Sequence, residues 1–300
     1  MLRERYDVHF ADADPEAKPH SIPSGSWHRI PFASSPGLVE ALQRLCRDLN
    51  VDLLVPGVDE ELLPVSQARE AMPCEVLLPP TEFIAAHLDK LTSLALLKAA
   101  GGPVPATEAL RDRQHVSFPC VVKPRQGRGS RDVAIVNSEE ELRAHVVHCR
   151  RPLDDFIVQE RLQGQEYTVT MVADRSGVLR AVVPVKVGIK RGVTLRAETD
   201  RDEMVTAACA RIHAARPVAG CFNIQLIRTD AGDIQPFEIN PRISTTTCLA
   251  LAAGVDFIDL YLGDGRAAEP GAPGLVSFEN HLRLKRSWHN EFLPRQVVDR

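Results

Sequence analysis

The chain has no apolar run approaching the ~20 residues that a membrane-spanning helix needs. Its first ten residues, MLRERYDVHF, lack the apolar core of a secretory signal. The expectation is a cytoplasmic protein without a membrane partner. Also missing is a cysteine framework: the seven cysteines, at 46, 74, 120, 149, 209, 221 and 248, form no C-x-x-C pair and no Cys/His zinc spacing. They read as reduced, mostly buried thiols. There is little surplus charge of either sign, the formal net charge being −4, and the most basic short stretch, RLKRSW at 283–288, is brief and broken by apolar residues. Nucleic acid therefore has no long-range field to follow, and that stretch reads as a surface element. His145 and His148 stand three apart on an expected helix and read as a surface pair. No internal repeat and no low-complexity tract is present.

What is present suits a folded protein of two or three compact units: 300 residues, 44% hydrophobic and 25% charged. Leu38, Leu42 and Leu45 mark one face of a helix, Val51–Pro56 a buried strand, and a further helix begins near Asp59. A continuous apolar strand between helices implies a parallel sheet covered on both sides. Residues 1–88 thus read as part of a doubly wound α/β domain. A strand over Tyr6–Ala11 is preceded only by MLRER, so the first βα unit of such a sheet is expected to be missing.

From Thr81 a helix is expected to run to Gly101 and Gly102, where Pro103 and Pro105 enforce an extended connector. FPCVVKP, RQGRGSRD and VAIV read as a hairpin over 118–136 with a glycine-bearing tip, followed by a helix capped at Ser138 and a strand FIVQERL. Strands are expected over Tyr167–Ala173, Leu179–Val187 and Cys221–Arg228, with a helix around Asp202–Ala215. GDIQPFEINPR supplies another strand, STTTCLALAAGVDFIDLYL a helix and turn, and AAEPGAPG at 267–274 a loop before the C-terminal segment.

The chemistry concentrates in QPFEINPR, where Glu238, Asn240 and Arg242 alternate along one strand and so share a face. An acid, an amide oxygen and a cation together suit a hard metal ion and an anion, although a solvent-facing edge strand shows the same alternation. Gln225 lies thirteen residues before Glu238 across the turn RTDAGD, which suits two adjacent antiparallel strands carrying both side chains to one place. Lys123 ends a strand and is followed by Arg125, Gln126, Gly127, Arg128, Gly129 and Ser130, a cation beside free backbone N–H groups. This tip is neither a Walker A loop nor a dinucleotide fingerprint. Glu160 and Glu166 flank a glycine in VQERLQGQEYTV, where a linker could pair with a base and a carboxylate with ribose hydroxyls.

With FPCVVKPRQGRGSRDV, IVQERLQGQEYTV and FEINPR in this order, the chain resembles the ATP-grasp superfamily, and within it the carbamoyl-phosphate synthase large-chain-like ligases, over roughly residues 7–262. The resemblance implies a mixed α/β and α+β architecture: a truncated pre-ATP-grasp α/β domain at 1–88, a lid subdomain with an adenine linker at 89–163, and a large catalytic subdomain with the C-terminal segment at 164–300. It implies ATP and Mg²⁺, with Mn²⁺ as the alternative ion. Lys90, Lys123, Arg125, Gly127, Gly129 and Ser130 match phosphate-side positions, Glu160, Arg161 and Leu162 the adenine linker, and Glu166 the ribose acid. Gln225, Glu238 and Asn240 match metal ligands, Arg242 the cation near the γ-phosphate, and Lys186 a further phosphate-side cation. KRGVTLRAET at 190–199 stands where relatives carry a substrate-side loop, and equally reads as a plain surface loop. The implied activity is a ligase that joins a small-molecule carboxylate and an amine through an acyl phosphate, with a homodimer as the assembly admitted. The other reading is an ATP-binding regulatory or assembly protein without turnover. A single ATP unit departs from the two of a whole carbamoyl-phosphate synthase large chain.

Overall fold

The computed structural model describes residues 2–19, 21–263, 274–288 and 290. The loop expected at 267–274 therefore lies outside the described residues except for Gly274. The N-terminal stretch holds α1 (Leu2–Arg5), β1 (Phe10–Asp12), β2 (Trp27–Arg29), α2 (Leu38–Asp48), β3 (Leu53–Leu54), α3 (Asp59–Gln67), β4 (Glu75–Val76) and α4 (Thr81–Leu88). Helix α2 buries Leu38, Leu42 and Cys46, spaced four apart on one face. They pack against Leu62, Val65, Val76 and Ile84. The parallel sheet expected here takes the form of two separate parallel pairs, β1 with β2 and β3 with β4. Only Leu53 and Leu54 of the expected strand pair, and Pro56 beyond them has no N–H with which to extend a ladder.

Helix α5 (Lys90–Ala99) is separate from α4, not the continuation expected from Thr81. Asp89 between them is extended and its carboxylate accepts the N–H of Thr92, so it caps a new helix. The break puts Lys90 at a helix start, almost fully buried. Strands β5 (Thr107–Ala109), β6 (Cys120–Pro124), β7 (Ala134–Val136) and β8 (Phe156–Glu160) form a four-stranded antiparallel sheet in the order β5-β8-β6-β7. Helix α6 (Glu139–Cys149), capped by Ser138, covers it through Leu142 and Val146.

The remaining elements are β9 (Gly164–Ala173), β10 (Leu179–Arg191), β11 (Val193–Thr199), α7 (Glu203–Ala215), β12 (Gly220–Thr229), β13 (Ile234–Asn240), α8 (Thr247–Ala252), α9 (Phe257–Leu262) and β14 (Arg283–Lys285). The six strands form an antiparallel sheet in the order β13-β12-β9-β10-β11-β14. Residues 190–199, expected as a loop, are the end of β10 and the strand β11, and part of RLKRSW is the edge strand β14. On one face Tyr167, Val169, Met171, Phe222, Ile224 and Leu226 pack against Leu94 and Leu97 of α5 and Val205 and Cys209 of α7. Helix α5 thus packs on this sheet although its residues were expected in the lid. The other face is apolar at one end, where Val172, Val183, Val185 and Cys221 lie against Leu249, Phe257 and Leu260 of α8 and α9. At its opposite end it turns polar.

All seven cysteines are free, and Cys46, Cys120, Cys209 and Cys221 are buried. Among the described residues no helix is long and apolar enough to cross a membrane.

Candidate active site

A cleft of about 930 Å³ lies between the four-stranded sheet, the polar end of the six-stranded sheet and the turn that precedes α3. Its volume is that of a small-molecule site. The floor is set by strand register. Gln225 stands opposite Glu238 across β12 and β13, and opposite Thr168 across β12 and β9, so the three form a row over adjacent strands. Asn240 follows two positions after Glu238, on the same face and almost fully buried. A register shift between Gln225 and Leu226 leaves Phe237 unpaired as a bulge, and its carbonyl accepts from Lys123 Nζ at 3.4 Å.

Three lysines converge on this floor. Lys123, at the end of β6, donates to Gln159 Oε1 at 2.9 Å. Lys90 Nζ reaches the Gly127 carbonyl at 2.8 Å and lies 3.9 Å from Glu238 Oε1. Lys190 pairs with Glu166 at 2.7 Å and donates to Gln225 Oε1 at 3.2 Å. Burial pushes the Lys123 ammonium down to about 8, with Lys90 and Lys190 adding to the shift and Glu238 and Glu166 opposing it. Burial alone would raise the Glu238 carboxyl, but Lys90, Lys123, Lys190 and Arg242 together hold it below its ordinary value. With Lys190 paired to Glu166 and Arg242 to Asp59, Lys90 and Lys123 still outnumber the half-buried, ionised Glu238. Such a site is short of anions.

Over the floor runs the loop between β6 and β7. Gly127 has φ +126° and Gly129 φ +71°, conformations that side chains rarely adopt. A Cβ on Gly192, at the tip of the β10–β11 hairpin, would sit 3.3 Å from the Gly129 carbonyl, so the hairpin touches the loop. At the far end Arg242 follows β13 and pairs with Asp59 of α3. Ser244, Thr245 and Thr246 line the cleft beside it.

Of the residues singled out from sequence, Lys90, Lys123, Gly127, Gly129, Ser130, Glu160, Arg161, Leu162, Glu166, Gln225, Glu238, Asn240 and Arg242 all line this cleft. Two do not. Arg125 turns to Asp89 at 2.8 Å, while its carbonyl accepts the N–H of Lys90, so it ties β6 to the start of α5. Lys186 stands opposite Tyr167, which belongs to the apolar face, and pairs with Asp200 at 3.0 Å. The period-two alternation of β10 thus points Lys186 away from Glu166 and Thr168.

Sequence reasoning missed Lys190, Gln159 and Asp59. Lys190 lay in a stretch read as a loop; the pair Arg191 and Val193 about Gly192, at φ +70°, is the hairpin signal that could have found it. For Asp59, in a different segment from Arg242, the sequence carried no signal.

The donor set suits one class of metal. Gln225, Glu238 and Asn240 offer oxygen atoms on one face, and among the described residues no group of three His, Cys, Asp or Glu could hold an ion by itself. A hard ion that arrives with phosphate oxygens and keeps waters needs only one or two carboxylates. These residues fit it.

Residues 152–285 match the family described as ATP-grasp in the biosynthetic pathway with Ter operon. The chain is 26% identical over 197 residues to the carbamoyl phosphate synthase large chain of Pyrococcus furiosus, covering 59% of this chain and 19% of that one. It is 28% identical over 199 residues to the D-alanine–D-alanine ligase of Alcanivorax borkumensis, covering 60% and 64%. The first three carbamoyl phosphate synthase relatives are matched over only 19%, 36% and 23% of their length. Among solved structures, the biotin carboxylase domain of the Hydrogenobacter thermophilus 2-oxoglutarate carboxylase, described with MgADP, ADP and bicarbonate, superimposes with a TM-score of 0.66 at 16% identity, over 84% of this chain and 62% of that one. The Campylobacter jejuni biotin carboxylase, described as a β,γ-ATP complex, gives 0.63 at 17%, over 78% and 59%.

Proposed function

We propose, from the premise that this chain is an ATP-grasp protein similar to carbamoyl-phosphate synthase large chains, that it is an ATP- and Mg²⁺-dependent ligase joining a small carboxylate to an amine. The observation that carries this reading is the ionised, half-buried Glu238, set among Lys90, Lys123, Lys190 and Arg242 with Gln225 and Asn240 on its face. In this reading the triphosphate lies over Lys90, Lys123 and Lys190, under the glycine loop, whose backbone N–H groups and left-handed residues suit phosphate oxygens. The base lies along Glu160–Leu162, and Glu166 accepts from the ribose.

Glu238, Asn240 and Gln225 would hold Mg²⁺, which when bound neutralises phosphate charge and polarises the transferring group. Arg242 stabilises the charge that grows on that group in flight. A substrate carboxylate oxygen attacks the γ-phosphorus and ADP leaves; an amine then attacks the acyl carbon and inorganic phosphate leaves. The rate comes mainly from alignment and fixed charge.

The test is ADP release from purified protein with MgATP and pooled small carboxylates and amines. The expected result is release that needs one carboxylate and one amine. Tight ATP binding with no release under any pair would favour the reading of an ATP-binding protein without turnover.

A further inference from the structure

We propose that Asp59 is a positioning residue for Arg242, so that the first turn of α3 completes the reacting end of the cleft; this rests on the reading of the cleft as a phosphoryl-transfer site. The two side chains are only 14% and 13% exposed, and Arg242 Nε donates to Asp59 Oδ1 at 2.5 Å. Its Nη1 donates to the Ile243 carbonyl at 3.0 Å, and among the described residues its Nη2 makes no hydrogen bond. A guanidinium is a rigid planar fork. Fixing Nε and Nη1 therefore fixes the whole plane and leaves the Nη2 edge for a ligand.

Asp59 is itself held before any ligand arrives. It is the first residue of α3, and the Glu61 carboxylate accepts the N–H groups of Gly57 at 2.6 Å and Val58 at 3.1 Å, which closes the turn. A carboxylate at a helix N-terminus is favoured by the helix dipole. Gly57 and Val58 line the cleft, so the turn carrying Asp59 is part of its wall. Without Asp59, Arg242 would be drawn toward Glu238, on which its charge already acts. Its guanidinium plane would then be free to turn, and the Nη2 edge would no longer be held toward the transferring group. Asp59 touches no reacting atom and works through Arg242.

The probe is MgADP with and without aluminium fluoride, whose complex mimics the phosphoryl group in flight and so reports on Arg242 without any identified substrate. In the wild type, fluoride should tighten MgADP about a hundredfold, the low end for transition-state mimics. Asp59→Ala should lose about tenfold or more of that tightening while MgADP alone binds within about twofold of wild type. Asp59→Asn, which keeps an acceptor oxygen, should recover part of it and carries the test if Asp59→Ala does not fold. On an Arg242→Ala background Asp59→Ala should add nothing, as for two residues acting as one unit. Full tightening in both Asp59 variants overturns the proposal. So does equal weakening with and without fluoride, or a loss additive to that of Arg242→Ala. No tightening in the wild type removes the phosphoryl-transfer reading, and the proposal with it.

Discussion

The two faces of the six-stranded sheet come from the same strands, yet one is sealed by apolar side chains and the other ends in a charged floor. On β9, Tyr167, Val169 and Met171 face α5 and α7, while Glu166 and Thr168, in the alternate positions, face the cleft. Alternation explains most of this, but not all. Lys186 and Lys190 are four apart on β10 and would share a face in a regular strand. Instead, register shifts between Val187 and Lys190 let Lys186 meet Asp200 and Lys190 meet Glu166. The same device works on β13, where Ile234 and Ile239 are five apart and both join the apolar face because Phe237 is extra. Bulges decide which charges reach the cleft.

The apolar face should govern stability and the charged face binding. Met171→Ala removes a fully buried side chain from the sealed face. It should lower unfolding stability by about 2–5 kcal/mol in denaturant titrations. Under native conditions ATP affinity should stay within about twofold, and a large loss of affinity would mean that the faces are not independent. On β10 the comparison narrows to two lysines. Lys190→Ala should weaken ATP about tenfold, or about 1.4 kcal/mol, whereas Lys186→Ala should stay within about 0.5 kcal/mol, as an exposed ion pair does. Equal effects in a direct titration would break the assignment of faces.

The smallest effect should appear with pH. Lys123 sits at about 8 against an ordinary 10.5, so between those values the unfolded chain holds a proton that the folded protein has released. Stability of the free protein from this group should therefore rise with pH across that window, and below it the contribution is flat. ATP affinity should run the other way, falling above pH 8 as the cation is lost. Melting curves and ATP titrations from pH 7 to 9.5 check both slopes, and parallel slopes would count against Lys123 as a phosphate ligand.

Much of the floor was legible because period two and the thirteen-residue spacing tie Gln225 to Glu238 without knowledge of the rest. The glycine loop and the linker could be read from residue types, whereas the place of Lys90 came from family resemblance, which its position in a leucine-bearing run would not have supplied. Bulges left no mark in composition, so Lys186 was chosen over Lys190. Asp89 looked like one more polar residue in a leucine-bearing run, and only its cap geometry shows the helix break. The N-terminal stretch has the apolar pattern of a covered parallel sheet but pairs as two separate short parallel ladders. Asp59 meets Arg242 through tertiary packing, which no local pattern encodes.

If the charged face binds the phosphates of MgATP, calorimetric titration of ATP, with and without Mg²⁺, into wild type and Lys123→Ala should show it. The wild type should show one Mg²⁺-dependent site, weakened about tenfold or more by Lys123→Ala, about 1.4 kcal/mol or more. Adenosine binding should be nearly unchanged by the same substitution. An ATP affinity indifferent to Lys123, or the same loss for ATP and adenosine, would contradict it.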